Sequence, residues 1–177
     1  MSAVDSSSPE LYAMADGRDL GSLFREHARY VAGVAYRLLG NDAEIDDVVQ
    51  DVFLEAGPAL GSIREPAAIR GWLATIAVRV SSRRLRRRRL RRWLPWHETP
   101  AVDLKSDGVS AEDRVLLANV YRVLDRVATA ERVAWSLRYV EGVALEEVAR
   151  LCECSLATAK RRIAAAQAQI HEELGDG

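Results

Sequence analysis

The sequence predicts an all-α fold of two small helical domains joined by a flexible linker, the C-terminal one containing a helix-turn-helix. Apolar residues recur at three- and four-residue spacing along most of the chain, and no strand-like alternation persists. A Pro-containing acidic stretch interrupts this pattern near the middle. The 177 residues are 49% hydrophobic and only 6% aromatic, which is enough apolar content for a packed core built mostly from aliphatic side chains.

Two helices are predicted at the start of the ordered chain. The first runs over 20–39 because its apolar residues fall on one helical face. Gly40 follows at the position where a left-handed residue commonly ends a helix. Asn41 or Asp42 is expected to cap the second helix, over about 42–57, since short polar side chains accept hydrogen bonds from first-turn amides.

A third helix is predicted after Pro66, which fits a first turn because it lacks an amide hydrogen. It carries apolar residues inward, continues into an arginine run and reaches about Arg92. The expected organisation has four parts: a disordered leader (1–18), an N-terminal domain (19–92), an acidic flexible linker (93–110) and a C-terminal domain (111–177).

The second half is predicted to begin with a helix capped by Ser110, whose sequence resembles a capping box. Thr129 is expected to cap a short helix that ends near Gly142. Another helix spans about 145–151, and Ser155 caps the last one, over about 156–174.

Charge is strongly segregated, although the formal net charge is only −1. From Arg64 to Arg92 there are eleven Arg and one Glu. From Asn41 to Ala56 there are six acidic residues and no basic one. Four of the acids lie on one face of the second helix; they are Glu44, Asp47, Asp51 and Glu55. Such segregation indicates two kinds of partner, one anionic and one basic.

Composition and motifs argue against membrane and catalytic classes. No apolar run approaches the roughly 20 residues that span a bilayer, and the Ser-rich, acidic N-terminus does not resemble a signal peptide, so a cytoplasmic location is expected. The three histidines, at 27, 97 and 171, fall in different elements without metal-ligand spacing. Cys152 and Cys154 are too close in sequence for an ordinary disulfide and are interpreted as small apolar residues in a turn. No catalytic residue, metal or cofactor is predicted.

Residues 145–163 have helix-turn-helix spacing. A short apolar helix precedes the turn Cys152-Glu153-Cys154, and the Ser155 cap then opens a helix with cationic residues near its start. Ala149 is small where two helices must approach closely, and Ile163 offers an apolar anchor. The pattern is typical of a helix that reads the DNA major groove, although an ordinary helical hairpin would satisfy the same spacing.

The chain resembles the extracytoplasmic-function (ECF) family of bacterial RNA polymerase sigma factors over about three quarters of its length. Residues 126–174 resemble the C-terminal domain, which binds the minus-35 promoter element in that family. Residues 23–37 and 44–53 (EIDDVVQDVF) resemble the first segments of the N-terminal domain. Residues 71–77 (GWLATIA) and the basic helix after them resemble the segments that open and read the minus-10 element.

The resemblance implies three sets of contacts and their partners. The partners would be core polymerase (through the clamp helices of its largest subunit and the flap of its second largest), promoter DNA and an anti-sigma factor, with no membrane insertion. Polymerase contacts are expected from Asp46, Asp47, Gln50 and Asp51. Contacts to minus-10 DNA are expected from Ser62, Arg64, Arg79, Arg83, Arg84, Arg86 and Arg87, the first two lying in the 57–65 loop. Contacts to minus-35 DNA are expected from Ser155, Ala157, Thr158, Lys160, Arg161 and Arg162.

Four positions depart from the family pattern. Arg79 and Arg83 stand where the family commonly has Asn and Asp, which leaves the minus-10 sequence open. Glu153 stands where a Gly is usual in the turn, and Glu adopts a left-handed conformation only at a cost. Ala144 replaces a hydroxyl cap worth about 1 kcal/mol.

Two other classes of function remain open on the sequence. A stand-alone helix-turn-helix regulator would bind duplex operators without polymerase, but it leaves the acidic face and the arginine-rich helix of one domain unexplained. An interaction protein that sequesters a transcription factor would account for the acidic face and not for the arginines.

Overall fold

Seven α-helices make up the part of the chain that the computed structural model describes, residues 19–63, 65–91 and 110–175. A 3₁₀ turn, Gly57–Ser62, joins the second helix to the segment before the third. The leader and almost all of the predicted linker lie outside the described residues. The helices are α1 (Leu20–Leu39), α2 (Ile45–Ala56), α3 (Ala68–Arg91), α4 (Ala111–Leu124), α5 (Thr129–Tyr139), α6 (Leu145–Leu151) and α7 (Leu156–Gly175).

Several helix ends are formed by the residues that the sequence singled out. Gly40 ends α1 in the left-handed conformation, with φ 73°, which confirms that prediction. Ser110 Oγ accepts a hydrogen bond from the amide of Asp113 at 3.0 Å and caps α4. Ser155 Oγ accepts from the amide of Thr158 at 3.2 Å and caps α7. The predicted spans of α1, α6 and α7 are confirmed to within one residue.

The predicted starts of α2, α3 and α5 are wrong by a few residues. Helix α2 begins at Ile45 without a side-chain cap. Asn41 does not cap it because its side chain is buried and its Oδ1 accepts a hydrogen bond from Arg88 Nη2 at 3.1 Å. Helix α3 begins two residues after Pro66, and Thr129 is the first residue of α5 rather than its cap.

Each half of the chain buries an aliphatic core. Helices α1, α2 and α3 pack against one another, and their largest fully buried side chains are Val31, Leu38, Leu39, Val48, Val52, Leu73 and Val80. In the second half α7 packs against α4, α5 and α6, with Val123, Leu124, Leu137 and Val148 fully buried.

The two halves also contact each other. Helix α5 lies against both α1 and α3, and α6 approaches α3. A cleft of about 200 Å³ opens between α3 and the α6–α7 turn. The described helices therefore form one continuous body, in which α3 of the first half lies against α5 and approaches α6 of the second.

Candidate nucleic-acid interface

The acidic face of α2 is turned toward the arginines of α3. Arg84 Nη2 lies 2.8 Å from Asp51 Oδ2, and its Nη1 lies 3.4 Å from Asp47 Oδ2. Arg88 Nε donates to Glu44 Oε1 at 2.6 Å. The ion pairs join residues more than thirty positions apart and hold α3 against α2.

Glu55 closes this network at the end of α2. It accepts hydrogen bonds from Arg79 Nη2, at 2.8 Å, and from Arg83. Partial burial of the Glu55 carboxyl acts to raise its pKa, but the bonds from Arg83 and Arg79 outweigh burial and hold the pKa below the usual 4.5. The carboxylate therefore stays ionised near neutral pH. Arg79 and Arg83, which depart from the family pattern, are thereby engaged within the protein.

The residues predicted to contact polymerase divide between two sides of α2. Asp46 and Gln50 are exposed and make no ion pair in the described part of the chain. Asp47 and Asp51 pair with Arg84 on the side toward α3. Leu54, four positions after Gln50, is 62% exposed. Leu54 was not predicted from the sequence, although a leucine on the same helical face as Asp46 and Gln50 was a visible signal.

The residues predicted to bind minus-10 DNA are likewise divided. Arg79, Arg83 and Arg84 are engaged with α2. Arg86 and Arg87 are exposed, and neither has an acidic partner among the described residues. The remaining two predicted residues are in the 57–65 loop. Arg64 and the side chain of Ser62 both lie outside the described part of the chain.

The α6–α7 unit places the predicted minus-35 residues at the start of α7. Ser155, Ala157, Lys160 and Arg161 are exposed, and Thr158 and Arg162 are half-buried. Ala159 and Ile163 are buried, and because they are four positions apart they lie on the same face of α7. Ala149 of α6 is buried as well. The start of α7 therefore presents Ser155, Lys160 and Arg161 to solvent while Ala159 and Ile163 pack inward, and Leu156 remains 38% exposed.

Two of the sequence departures have structural consequences in this unit. Glu153 is the one described non-glycine residue with a positive φ, 49°, so the turn adopts the left-handed conformation that a Gly would adopt at lower cost. Ala144 occupies the N-cap position of α6 without a side-chain hydrogen bond. Both observations match what the sequence predicts for these positions.

Cys152 lines the cleft between the halves and is a poor nucleophile. Burial raises the pKa of the Cys152 thiol to about 11, with a further contribution from nearby Cys154. Thiols react as thiolates, so this thiol is almost entirely in its unreactive form at neutral pH. The same cleft is lined by Arg79, Ser82 and Arg86 of α3 and by Glu153 and Arg162.

The described residues offer neither a metal cluster nor a membrane span. No group of three or more His, Cys, Asp or Glu side chains converges within the described ranges. Of the helices described, none is both long and apolar enough to cross a bilayer.

Two family models match the chain and together cover nearly all of its described part. Sigma-70 region 2 matches residues 23–91, and the ECF sigma factor model matches residues 69–176. The second model alone covers more than half of the chain.

Curated relatives point to the same family. The chain is 30% identical over 154 residues to the ECF RNA polymerase sigma factor SigM of Mycobacterium tuberculosis, covering 86% of this chain and 76% of SigM. It is 26% identical over 171 residues to the RNA polymerase sigma-H factor of Pseudomonas aeruginosa, covering 90% and 88% of the two chains. The Escherichia coli ECF RNA polymerase sigma-E factor is 28% identical over 143 residues, which is 74% of either chain.

Solved structures share the fold. CnrH, in complex with the cytosolic domain of CnrY, superposes with a TM-score of 0.59 at 25% identity, covering 89% of this chain and 88% of CnrH. The sigma factor RpoE of Bartonella quintana, in complex with the anti-sigma factor NepR, gives a TM-score of 0.64 at 21% identity, covering 88% and 96%. With both family models matched along one helical chain, this protein belongs to the ECF family of RNA polymerase sigma factors.

Proposed function

We propose that residues 19–92 and 111–177 form the two functional domains of this sigma factor, and that the first docks on core polymerase through the outer side of α2. Asp46, Gln50 and Leu54 lie four positions apart and so share one helical face. Because the opposite face is paired with α3, this outer face is the part of α2 that is free for a partner. Its acidic and apolar character suits a basic helical surface such as the polymerase clamp helices.

Promoter DNA is proposed to meet two separate cationic surfaces. On α3, Arg86 and Arg87, which are exposed and have no acidic partner among the described residues, would bind the backbone near the minus-10 element. Ser62 and Arg64 of the 57–65 loop would supply further contacts to that element. On α7 the exposed first turn would enter the major groove at minus-35, where Arg161 is placed to donate to base edges. Lys160 and the N-terminus of α7 would bind phosphate.

The cationic start of α7 is the observation that carries this proposal, because Lys160 and Arg161 are exposed while Ala159 and Ile163 of the same helix are buried. On this proposal the chain has no catalytic residue of its own and works in the cytoplasm, where polymerase and promoter are found. An anti-sigma factor is the expected regulator, since the Bartonella RpoE was solved with the anti-sigma factor NepR and CnrH with the cytosolic domain of CnrY.

In vitro transcription with sigma-free bacterial core polymerase tests the proposed function. With this protein added, a genomic fragment library should yield new start sites that share elements near minus-10 and minus-35. If the protein gives no new starts and no core binding, yet shifts duplex DNA alone, the stand-alone regulator becomes the better account.

A paired variant tests the docking face on α2. Asp46→Lys with Leu54→Ala should abolish protein-dependent starts and weaken core binding, because it reverses a charge and removes an apolar contact on one face. Glu112→Lys provides the matched control, since Glu112 is an equally exposed acid on α4 outside the proposed docking face. Equal losses in the two proteins would reject this face.

A further inference from the structure

The cleft between α3 and the α6–α7 turn brings cationic side chains from both halves of the chain together. Arg79 and Arg86 line it from α3, and Arg162 lines it from α7. Glu153 is the one acid among the described residues of the lining. Three arginines against one glutamate give the lining a formal charge of +2. A concave surface with this charge concentrates anions, because its low-dielectric walls focus the field.

The arginines of the cleft retain hydrogen-bond donors for a ligand. Arg86 is exposed and Arg162 is half-buried, and neither has an acidic partner in the described part of the chain. Arg79 donates from Nη2 to Glu55 Oε2 at 2.8 Å, but a guanidinium carries five N–H donors. Guanidinium groups bind phosphate well, because their planar pairs of N–H groups match two phosphate oxygens at once. The charged part of the cleft therefore suits a phosphate group.

Uncharged donors lie beside the arginines. Ser82 lines the cleft together with Arg79 and Arg86, and because the three positions are i, i+3 and i+7 they share one face of α3. Thr129 lines the cleft from the start of α5, where the N-cap residue Ala128 provides no side-chain hydrogen bond. The first amides of a helix have no partner within the helix and favour negative charge nearby. These donors add to the arginines, which define the site.

Part of the cleft lining is apolar. Val78, Val133 and Leu151 are buried and line the cleft, together with half-buried Cys152. Burial raises the pKa of the Cys152 thiol to about 11, so the thiol is uncharged at neutral pH and does not repel an anion. Drug-sized ligands occupy sites of about 300–1,000 Å³. A cleft of about 200 Å³ therefore suits a smaller molecule that combines a charged group with a compact apolar one.

We propose that this cleft is a binding site for a small phosphorylated organic molecule. The phosphate accepts hydrogen bonds from Arg86 and Arg162, and the organic part lies against Val133 and Leu151. A phosphate monoester carries about −1.5 to −2 charges at neutral pH and three acceptor oxygens, which matches a lining of +2. The DNA backbone carries similar acceptor groups, but it has no compact apolar group for the wall that Val133 and Leu151 form. Binding of the small molecule does not depend on the function proposed above.

Titration calorimetry of the full-length protein with phenyl phosphate tests the site without polymerase or DNA. Phenyl phosphate joins a phosphate to a compact apolar ring, and inorganic phosphate and phenol supply the two parts separately. At constant ionic strength, phenyl phosphate should bind at least about fivefold more tightly than inorganic phosphate, because the cleft removes the ring from water. Phenol should show no measurable binding. Failure of phenyl phosphate to bind, or equal affinity for the two phosphates, would overturn the proposal.

Neighbouring arginines provide matched controls for the cleft. Arg86→Gln and Arg162→Gln each remove a charge from the lining, whereas Arg87→Gln and Arg161→Gln remove an exposed charge one position away and outside the lining. The two cleft variants should bind phenyl phosphate about tenfold more weakly, as expected for loss of a charge-assisted hydrogen bond. The two controls should stay within about twofold, because salt screens exposed charges at a distance. Equal losses within each pair would indicate only a general attraction of anions and would reject the site.

Glu153 provides a test in the opposite direction. Glu153→Gln removes the acid of the lining and should tighten binding of phenyl phosphate by about threefold, because it removes a repulsion between like charges. A loss of folding could not produce this gain. Glu146→Gln is the control, since Glu146 is an exposed acid on α6 outside the lining, and its affinity should be unchanged. Unchanged or weaker binding in Glu153→Gln would contradict the proposal.

A short DNA duplex, titrated into the same proteins, separates the two sources of phosphate. The expected result is that phenyl phosphate binds the DNA-free chain and that Arg86→Gln and Arg162→Gln weaken this binding. If the two variants lose affinity for the duplex while the unaltered chain binds no phenyl phosphate, the arginines serve DNA alone and the proposal is wrong.

Discussion

The arginines of α3 and the cationic residues at the start of α7 look alike in sequence but differ in what they contact. On α3, Arg79, Arg83, Arg84 and Arg88 form ion pairs with the acids of α2 and its N-cap. On α7, Lys160 and Arg161 are exposed and form no ion pair in the described part of the chain. The helix with the greater charge therefore has four of its nine arginines in ion pairs with α2, whereas Lys160 and Arg161 of α7 face solvent.

The number of arginines along a helix is therefore a poor guide to the number of DNA phosphates that the helix contacts. Six neutralised phosphates along the arginine run would give a log–log salt slope of about −5. With four arginines of the run engaged by α2, the exposed ones, Arg86, Arg87, Arg89 and Arg91, would give a slope of about −4 on duplex. Arginines that pair with acids 24 to 44 positions earlier stabilise the packing of α3 against α2.

The largest effect is expected at Arg161. Arg161→Ala should weaken binding to minus-35 duplex by about 1–3 kcal/mol if its guanidinium donates to a base. Fluorescence anisotropy of holoenzyme on labelled promoter measures the change. Arg126→Ala is the control, because Arg126 is similarly exposed in the same half but pairs with Glu173. Equal losses would mean that Arg161 contributes only general charge.

Arg86 should act through the DNA backbone. Arg86→Ala should reduce the salt slope of minus-10 binding by about 1 and weaken binding across sequences alike. Its stability should change by less than about 0.5 kcal/mol, since it removes an exposed side chain without an acidic partner. A salt titration and a urea melt report the two quantities. A large loss of stability in Arg86→Ala would contradict the expectation that arginines without acidic partners contribute little to folding.

Arg84 should show the reverse pattern. Arg84→Ala should lower the free energy of unfolding by about 1 kcal/mol, because it leaves Glu44, Asp47 and Asp51 without their shared cation and half-exposed pairs are worth little individually. Its salt slope for DNA should remain close to that of the unaltered protein. A drop in slope equal to that of Arg86→Ala would show that Arg84 leaves α2 to bind DNA.

The smallest effect concerns Glu55 and pH. Its pKa is depressed in the folded chain, so its ionised form contributes stability above the unfolded pKa, and this contribution is lost as pH falls through the folded pKa. Glu55→Gln should therefore cost less than about 1 kcal/mol at pH 7. The stability gap between the variant and the unaltered protein should close as pH falls through the depressed folded pKa, below the usual 4.5, as measured by urea unfolding across pH. A gap that persisted at acid pH would indicate a packing role instead.

Local chemistry made much of the fold predictable. The helix pattern, the left-handed Gly40 and the hydroxyl caps of Ser110 and Ser155 depend on residues within a few positions of one another. The sequence also identified the turn at Glu153 and the charge segregation between α2 and α3. These features follow from periodicity and short-range hydrogen bonding.

Contacts between distant residues were not predictable in the same way. The capping of α2 was misassigned because Asn41 is occupied by Arg88, 47 positions later. To predict the ion pairs between the acidic face of α2 and the arginines of α3, one must know that the two helices pack face to face, which the sequence does not show. Arg132 donates hydrogen bonds to the carbonyls of Leu38 and Leu39, more than 90 positions earlier. No residue within one helical turn of Arg132 indicates this contact.

The end of α1 also has a consequence for how the protein is made. The carbonyls of Leu38 and Leu39 accept hydrogen bonds from the guanidinium of Arg132 on α5, 94 and 93 positions later. At 5–20 residues per second, a ribosome needs roughly 5 to 20 s to add that stretch. During this interval the emerging helix must have its last carbonyls hydrated, and the first half must stand on its own core. Truncated or stalled products would therefore expose a hydrated helix end. They would also expose Gly40, which the ring of Tyr121 covers in the complete chain.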